Sequence, residues 1–157
     1  MDMAQTTFSG PVRSNRGFTA AGSSAVVEIT AETTLTYADH VGRIIEINDA
    51  DGAVTLPSIT TDTIGAEYTF FIGTDATDLD IKTDGTDKFS GTLAVAGTST
   101  KAFASDVSSN DVISMNGTTK GGDKGSNLKI VAIGTAEYLV SGTLVGSGTV
   151  VTPFADS

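Results

Sequence analysis

The turns that interrupt this chain constrain its fold more than any other feature. Short segments of alternating apolar and polar residues are separated, at intervals of roughly 8–12 residues, by turns rich in Gly, Asp and Asn. In Glu67–Ile72, for example, the alternation predicts that Tyr68, Phe70 and Ile72 point inward. No segment carries the 3.6-residue period of an amphipathic helix. The sequence therefore predicts an all-β protein, a single β-sandwich or β-barrel of about ten short strands with almost no helix.

The predicted strands cover most of the chain after residue 24. A turn, with room for one helical turn, is expected at 38–42. The last segment, Gly142–Ser157, is rich in Gly and Thr and is predicted to return along the surface. The strands are predicted at Ala25–Thr30, Thr34–Tyr37, Arg43–Asn48, Ala53–Leu56, Glu67–Ile72, Asp78–Lys82, Gly91–Val95, Lys101–Ser105, Val112–Asn116, Leu128–Ile133 and Glu137–Ser141.

Residues 1–24 lack a hydrophobic period and are predicted to form an extended N-terminal arm, with the all-β domain at 25–157. Residues 1–18 carry a net charge of +1, whereas residues 19–157 carry −11. This asymmetry predicts an arm that docks on an acidic partner while the body faces water. The partner-contacting residues are expected to be Phe8, Arg13, Arg16 and Phe18, because two aromatic rings suit a solvated tail poorly. The alternative is a disordered terminus.

The overall charge and composition exclude several classes of protein. A net charge of −10 repels phosphate backbones and anionic lipids, so neither nucleic acid nor a membrane is an expected partner. No apolar run approaches the ~18 residues that a membrane span needs. The chain has no cysteine, which rules out disulfides and cysteine–metal sites.

Catalytic constellations are weak in this sequence, and we expect neither an enzyme nor a cofactor. His40 is the only histidine, so a Ser-His-Asp triad would have to form around it, and zinc binding by clustered histidines is impossible. We expect His40 to be a surface or turn residue. A glycosidase needs paired acids, but the acids here lie in turns where Asp bonds to local backbone amides, and no Trp could line a sugar site.

Two loops are candidate ion sites. Asp49 and Asp51 resemble the start of a calcium loop, but the glutamate that closes an EF-hand is missing, so the calcium site is a weak candidate and turn chemistry is the favoured interpretation. The segment 116–125 is the most glycine-dense part of the chain, and its spacing does not match a phosphate-binding loop. Lys120 and Lys124 could hold an anion there, although a mobile connection between strands is the simpler interpretation.

Six short segments of the chain are distinctive as an ordered set. They are 4–14 (AQTTFSGPVRS), 34–39 (TLTYAD), 54–57 (VTLP), 68–73 (YTFFIG), 115–119 (MNGTT) and Gly121 to Gly125 (GGDKG). Each motif is short, and it is the ordered set that is specific. In this order they resemble capsid decoration (cement) proteins or head-fibre-like proteins of tailed marine bacteriophages. The resemblance implies an all-β domain on the outer surface of the virion capsid, bound to the major capsid protein and commonly trimeric, and it carries over no catalytic residue.

Two other functions remain open at this point. A receptor- or glycan-binding module of a fibre would present clustered aromatic residues in loops, whereas the aromatics here fall in predicted strands or in the arm. An acidic hydrolase would need a convergent set of polar residues around the single histidine. The first expectation is therefore a structural virion protein that stabilises a capsid.

Overall fold

In a computed structural model, which describes residues 22–157, the chain forms two β-sheets that face each other across one apolar interior. The larger sheet has seven strands in the order β1-β3-β5-β10-β11-β7-β8, and the smaller has five in the order β12-β9-β6-β4-β2. The predicted all-β sandwich is confirmed. The strands are β1 Val26–Ile29, β2 Thr33–Thr34, β3 Ile44–Ile47, β4 Ala53–Thr55, β5 Glu67–Ile72, β6 Leu79–Lys82, β7 Lys88–Ala96, β8 Thr100–Ala104, β9 Val112–Met115, β10 Asp123–Gly134, β11 Glu137–Val145 and β12 Phe154–Ala155.

The first six strands build the sandwich as a coil. Odd-numbered strands β1, β3 and β5 join the larger sheet, even-numbered strands β2, β4 and β6 join the smaller one, and the neighbours within each sheet are parallel. The chain therefore crosses from one sheet to the other at every step and returns beside its previous pass. We call residues 26–82 the coil segment.

The coil segment is held together by apolar side chains that stack at matching positions. Ile29 pairs in register with Ile47, which pairs with Ile72, and all three side chains are buried. In the facing sheet Val54 pairs with Ile81, and both are buried. The alternation that predicted strands also predicted these inward faces, because side chains on successive residues of a strand point to opposite sides.

The second half of the chain widens the larger sheet and closes the smaller one. β10 and β11 form an antiparallel hairpin, and β10 also pairs antiparallel with β5. β7 runs parallel to β11, and β8 is the outer strand beyond β7. In the smaller sheet β9 pairs antiparallel with β6, and β12 pairs antiparallel with β9.

Two parts of the chain differ from the sequence prediction. Residues Thr34–Tyr37 do not form one strand, because Thr36 caps a single helical turn, α1 (Tyr37–His40), by accepting a hydrogen bond from Asp39 N–H. The segment Gly142–Ser157 does not simply return along the surface. Its first residues extend β11, and Val150 and Phe154 are buried in the interior.

The two faces of β3 provide a direct test of the coil segment. Ile47 is fully buried and Ile44 is 46% exposed. We expect Ile47→Ala to lower the free energy of unfolding by about 2–5 kcal/mol, since it leaves a cavity between the stacked isoleucines. Ile44→Ala removes the same atoms from the other face of the strand and should change it by less than about 0.5 kcal/mol. Urea unfolding followed by circular dichroism measures both, and equal effects would contradict the described register.

Candidate functional site

The arm residues that the sequence singled out lie outside the described part of the chain. Phe8, Arg13, Arg16 and Phe18 all precede Gly22, where the described residues begin. A short 3₁₀ turn, Ser23–Ala25, leads directly into β1. The arm therefore joins the body at the outermost strand of the seven-stranded sheet.

The coil segment is open at this junction. Among the strands of residues 22–157, β1 is an edge strand of the larger sheet and β2 is an edge strand of the smaller one, so the first coil has a described partner strand on one side only. Beside this edge, on the outer face of the larger sheet, Val26 and Ile44 are register neighbours and are 40% and 46% exposed. An edge strand with free backbone groups can pair with an added strand from a partner. The open edge is the first candidate binding surface.

His40 was predicted to be a surface or turn residue. It lies in a turn, but it is buried and not on the surface. It ends the helical turn α1, and its side chain folds back onto Thr36. Its Nδ1 lies 3.0 Å from Thr36 N and 3.3 Å from Thr36 Oγ1. Nδ1 also lies 3.1 Å from Thr36 O, so it can accept from Thr36 N–H or donate to Thr36 O according to the tautomer of the ring. The contacts of the Nδ1 atom are thus local and hold the turn.

The calcium candidate is built as a backbone turn. Asp49 Oδ1 faces Asp51 N–H at 3.5 Å, at the outer limit of a hydrogen bond. The other carboxylate oxygen of Asp49 lies where a side chain on residue 52 would be, which accounts for Gly52. Within residues 22–157 no group of three or more His, Asp or Glu side chains is placed to hold a metal ion.

The glycine-dense segment 116–125 is packed into the body and does not project from it. Asn116 Oδ1 accepts hydrogen bonds from Thr118 N–H and Lys120 N–H, and Gly121 N–H donates to Thr118 O, so the chain turns tightly. Gly121 and Gly122 are both buried. The segment is a connection between strands β9 and β10, as predicted, and its turn is packed against the body. The ammonium group of Lys120 bonds to Ser114 Oγ.

An ionic cluster around one buried aspartate, which we call the C-terminal clamp (Lys88, Asp111 and Ser157), did not emerge from the sequence. Asp111 is 2% exposed, and its carboxylate accepts hydrogen bonds from Lys88 Nζ at 2.7 Å, Ser157 N at 2.9 Å and Ser157 Oγ at 3.1 Å. Burial opposes ionisation, but these donors outweigh it and lower the pKa of Asp111. The same hydrogen bond raises the pKa of Lys88. The clamp ties the end of the chain to β7.

A second buried carboxylate, Asp87, has the opposite balance. It is 4% exposed and accepts one hydrogen bond, from Ile59 N–H at 2.9 Å. Burial raises the pKa of Asp87, and the nearby charge of Asp84 adds to this shift. Because no cation of residues 22–157 faces it within salt-bridge distance, Asp87 ionises less readily than Asp111.

The buried tyrosines are also used for packing. Tyr68 and Tyr138 meet edge to face with ring centroids 6.5 Å apart, and Tyr138 Oη donates to Pro57 O at 2.6 Å. Burial, with a smaller contribution from Tyr37, raises the pKa of Tyr68 to about 12. Both phenols therefore remain protonated at neutral pH, as interior residues that position strands β5 and β11.

One polar atom of the described residues is an exception to this local pairing. Asp80 Oδ1 is buried and has no hydrogen-bond partner within residues 22–157. Asp80 lies on β6 between its register neighbours Ala53 and Ser114, and neither is acidic. It is an isolated carboxylate and does not belong to a paired acid site.

No helix of residues 22–157 is long and apolar enough to cross a membrane.

Comparison with known proteins adds no relative: no family model matches the chain, and neither a curated protein nor a solved structure is significantly similar to it.

Gly122 tests the packing of the glycine-dense segment. It has φ of +103°, and a Cβ at this position would lie 2.6 Å from Met115 Cβ and 2.9 Å from Ala76 Cβ. We expect Gly122→Ala to destabilise the protein by roughly 2–4 kcal/mol, from backbone strain and overpacking together. Gly134→Ala is the control, since nothing lies near its Cβ position and its φ is ordinary. Thermal unfolding of both variants measures the difference, and similar melting temperatures would contradict the packed turn.

The two buried aspartates test the C-terminal clamp through pH. Since the pKa of Asp111 is lowered by folding, its ionisation stabilises the protein above the unfolded pKa of about 4, and this stability is lost as pH falls through the folded pKa. Asp111→Asn should therefore lower the urea midpoint at pH 7, and the deficit should shrink in acid. Asp87→Asn removes a carboxylate whose pKa folding raises, so its midpoint at pH 7 should equal or exceed the wild type. Equal losses in both variants would contradict this assignment.

Proposed function

We propose that this chain is a structural virion protein that binds the outer surface of a bacteriophage capsid and stabilises it, as decoration (cement) proteins do. The observation that carries the proposal is the junction of a cationic arm with the open edge of an otherwise acidic, self-contained sandwich. The phage resemblance stated from the sequence supplies the identity of the partner, the major capsid protein. The body supplies a compact support without a metal-ligand cluster among its described residues.

Attachment through the arm follows from charge. Residues 1–18 carry a net charge of +1, while residues 19–157 together carry −11. Arg13 and Arg16 would pair with acidic groups on the capsid, and Phe8 and Phe18 would bury apolar surface there. The acidic body would then point away from the shell and from packaged DNA.

Stabilisation of the shell follows from repetition rather than from strong individual contacts. Each copy adds a modest contact area, and a homotrimer attached at several points would bind far more tightly than one copy alone. The proposed protein needs no cofactor and catalyses no reaction. The turn-held acids of the body serve solubility and local structure, as the hydrogen bonds of Asp106 and Asp84 to their own loops illustrate.

The arm is tested by charge reversal with a matched control. We expect the double variant Arg13→Glu and Arg16→Glu to lose at least tenfold in affinity for emptied capsids in a co-sedimentation assay, because each change replaces an attraction with a repulsion. The control is Lys101→Glu with Lys124→Glu, which makes the same change in net charge at two exposed lysines of the body. Circular dichroism checks that both variants fold.

The same assay discriminates between the competing functions. Equal binding by the arm and control variants would contradict arm docking. If the wild-type protein binds host cells or glycans and does not bind emptied capsids, the receptor-binding fibre module replaces the decoration protein as the function. Raising the salt concentration should weaken the arm's contribution, since surface charge attraction is screened.

A further inference from the structure

The outer face of the seven-stranded sheet is divided into two chemically different halves. On the half made by β1, β3 and β5, outward positions include Glu28, Glu46 and Glu67. On the half made by β11, β7 and β8, the charged outward residues within the strands are Glu137 and Lys88, the first residues of β11 and β7. Every other outward position of these three strands is uncharged. We call this half the uncharged face. Its residues are Leu139, Ser141, Thr143 and Val145 on β11, Ser90, Thr92, Ala94 and Ala96 on β7, and Thr100, Ala102 and Ala104 on β8.

Nothing in the described part of the chain covers the uncharged face. Leu139 is 42% exposed and Val145 is 37% exposed, and none of the face's residues is buried. Ile133, at the adjoining end of β10, is 45% exposed. The alternate residues of the same strands fill the interior, with Tyr138, Val140 and Leu144 on β11 all buried.

The absence of charge is unusual for this chain. With 18% charged residues overall, a random selection of surface positions of this size would include about two charged side chains. Charged groups lie instead around the rim, and two of the lysines there are paired. Lys129 forms an ion pair with Glu67 at 2.7 Å, and Lys88 is held by Asp111. An uncharged centre with a charged rim is the anatomy of a protein–protein interface.

We propose that the uncharged face packs against the same face of other copies of this chain. Two copies, each with a net charge of −11 in residues 19–157, repel each other wherever their acidic surfaces meet. Among the described surfaces of the larger sheet, the uncharged face is the one through which two copies can pack without that repulsion. In a cyclic trimer each copy meets its neighbours through two different patches around the axis, and a face without charge can supply both patches without repulsion. The inference deepens the proposed homotrimer and does not depend on capsid attachment.

The size of the face is that of an interface core. Three strands spaced about 4.8 Å apart, and about seven residues long at roughly 3.3 Å each, give an area about 14 Å by 23 Å. A standard interface buries about 800 Å² on each partner. The outer side of β10 adjoins β11, and its residues Val131 and Ile133 would extend the contact toward that size. They lie beside Lys129, which is paired with Glu67. Side chains on β7 and β8 are short, which lets the backbones of two sheets approach closely.

The experiment measures association of the full chain without any capsid present. We expect the wild type to sediment as an oligomer at micromolar concentration, and Thr92→Glu, at the centre of the face, to raise the dissociation constant at least tenfold. Thr55→Glu is the matched control. It places the same side chain on the outer face of the smaller sheet, beside its register neighbour Lys82, and should leave association unchanged. Melting curves confirm that both variants fold.

A labelling experiment identifies what covers the face. The chain has no cysteine, so Thr92→Cys gives a single thiol. Maleimide should label it fast below the association range and slowly above it. A monomeric wild type at tens of micromolar, or a Thr92→Glu variant that associates normally, would overturn the proposal. If the thiol is protected from maleimide at every concentration and deletion of residues 1–18 relieves the protection, the arm covers the face. If the thiol is protected only when the protein is bound to capsids, the shell covers the face. Either result overturns self-association. Failure of capsid binding with intact association would instead remove the proposed function alone.

Discussion

Parallel pairing between successive coils is the constraint on which the rest of this structure depends. Two parallel strands cannot be joined by a tight turn, because the chain must return to the same end before it starts the second strand. Many proteins make this return with a helix. Here the return path supplies a strand of the opposite sheet, so β2 connects β1 with β3, and β4 connects β3 with β5. Both sheets therefore grow together, and their inner faces have to match at every step.

This mode of growth explains the contrast between the two ends of the sandwich. The first coil has no preceding coil among the described residues, so β1 and β2 are left as edges. The chain's last strand, β12, instead adds to β9, and Ser157 is fixed to Asp111 by two hydrogen bonds. Among the described residues, the start of the body is thus available for pairing, while Ser157 is held to Asp111. The proposed attachment arm would join the body at the open end and leave the held end undisturbed.

The sequence predicted the strands well and their partners not at all. Alternation of side chains is local, so Tyr68, Phe70 and Ile72 could be assigned to the interior from their spacing alone, and all three are buried. Pairing is not local, and the coils differ in length, because the passage from β4 to β5 contains the long segment 56–66. Unequal coils leave no visible repeat in the sequence. The sequence leaves room for a helical turn near Tyr37–His40 but does not require one. The burial of His40 depends on the residues that surround it in the fold, so the sequence alone does not predict it.

The polar sites show the same limit. The carboxylates of turn acids such as Asp49 and Asp106 bond to residues two positions away, so their role is readable from the sequence. Asp111 also follows a turn, yet its partners Lys88 and Ser157 are 23 and 46 residues away. No spacing rule reaches that far without knowledge of the strand order. The arm residues Phe8, Arg13, Arg16 and Phe18 remain a sequence prediction.

Charge in this protein is segregated more sharply than solubility requires. A net charge of −10 could be spread evenly, but the chain places a positive net charge in residues 1–18 and leaves the outer positions of β11, β7 and β8 without charge. These regions suit different partners: a cationic arm favours an acidic surface, an uncharged face tolerates its own copy, and an acidic remainder repels both lipid and nucleic acid. Because the uncharged face and the open edge β1 lie at opposite ends of the same sheet, a copy packed on the face leaves the arm's junction free. Self-association and attachment are therefore compatible in one molecule, which is the arrangement that multivalent binding to a repeating surface requires.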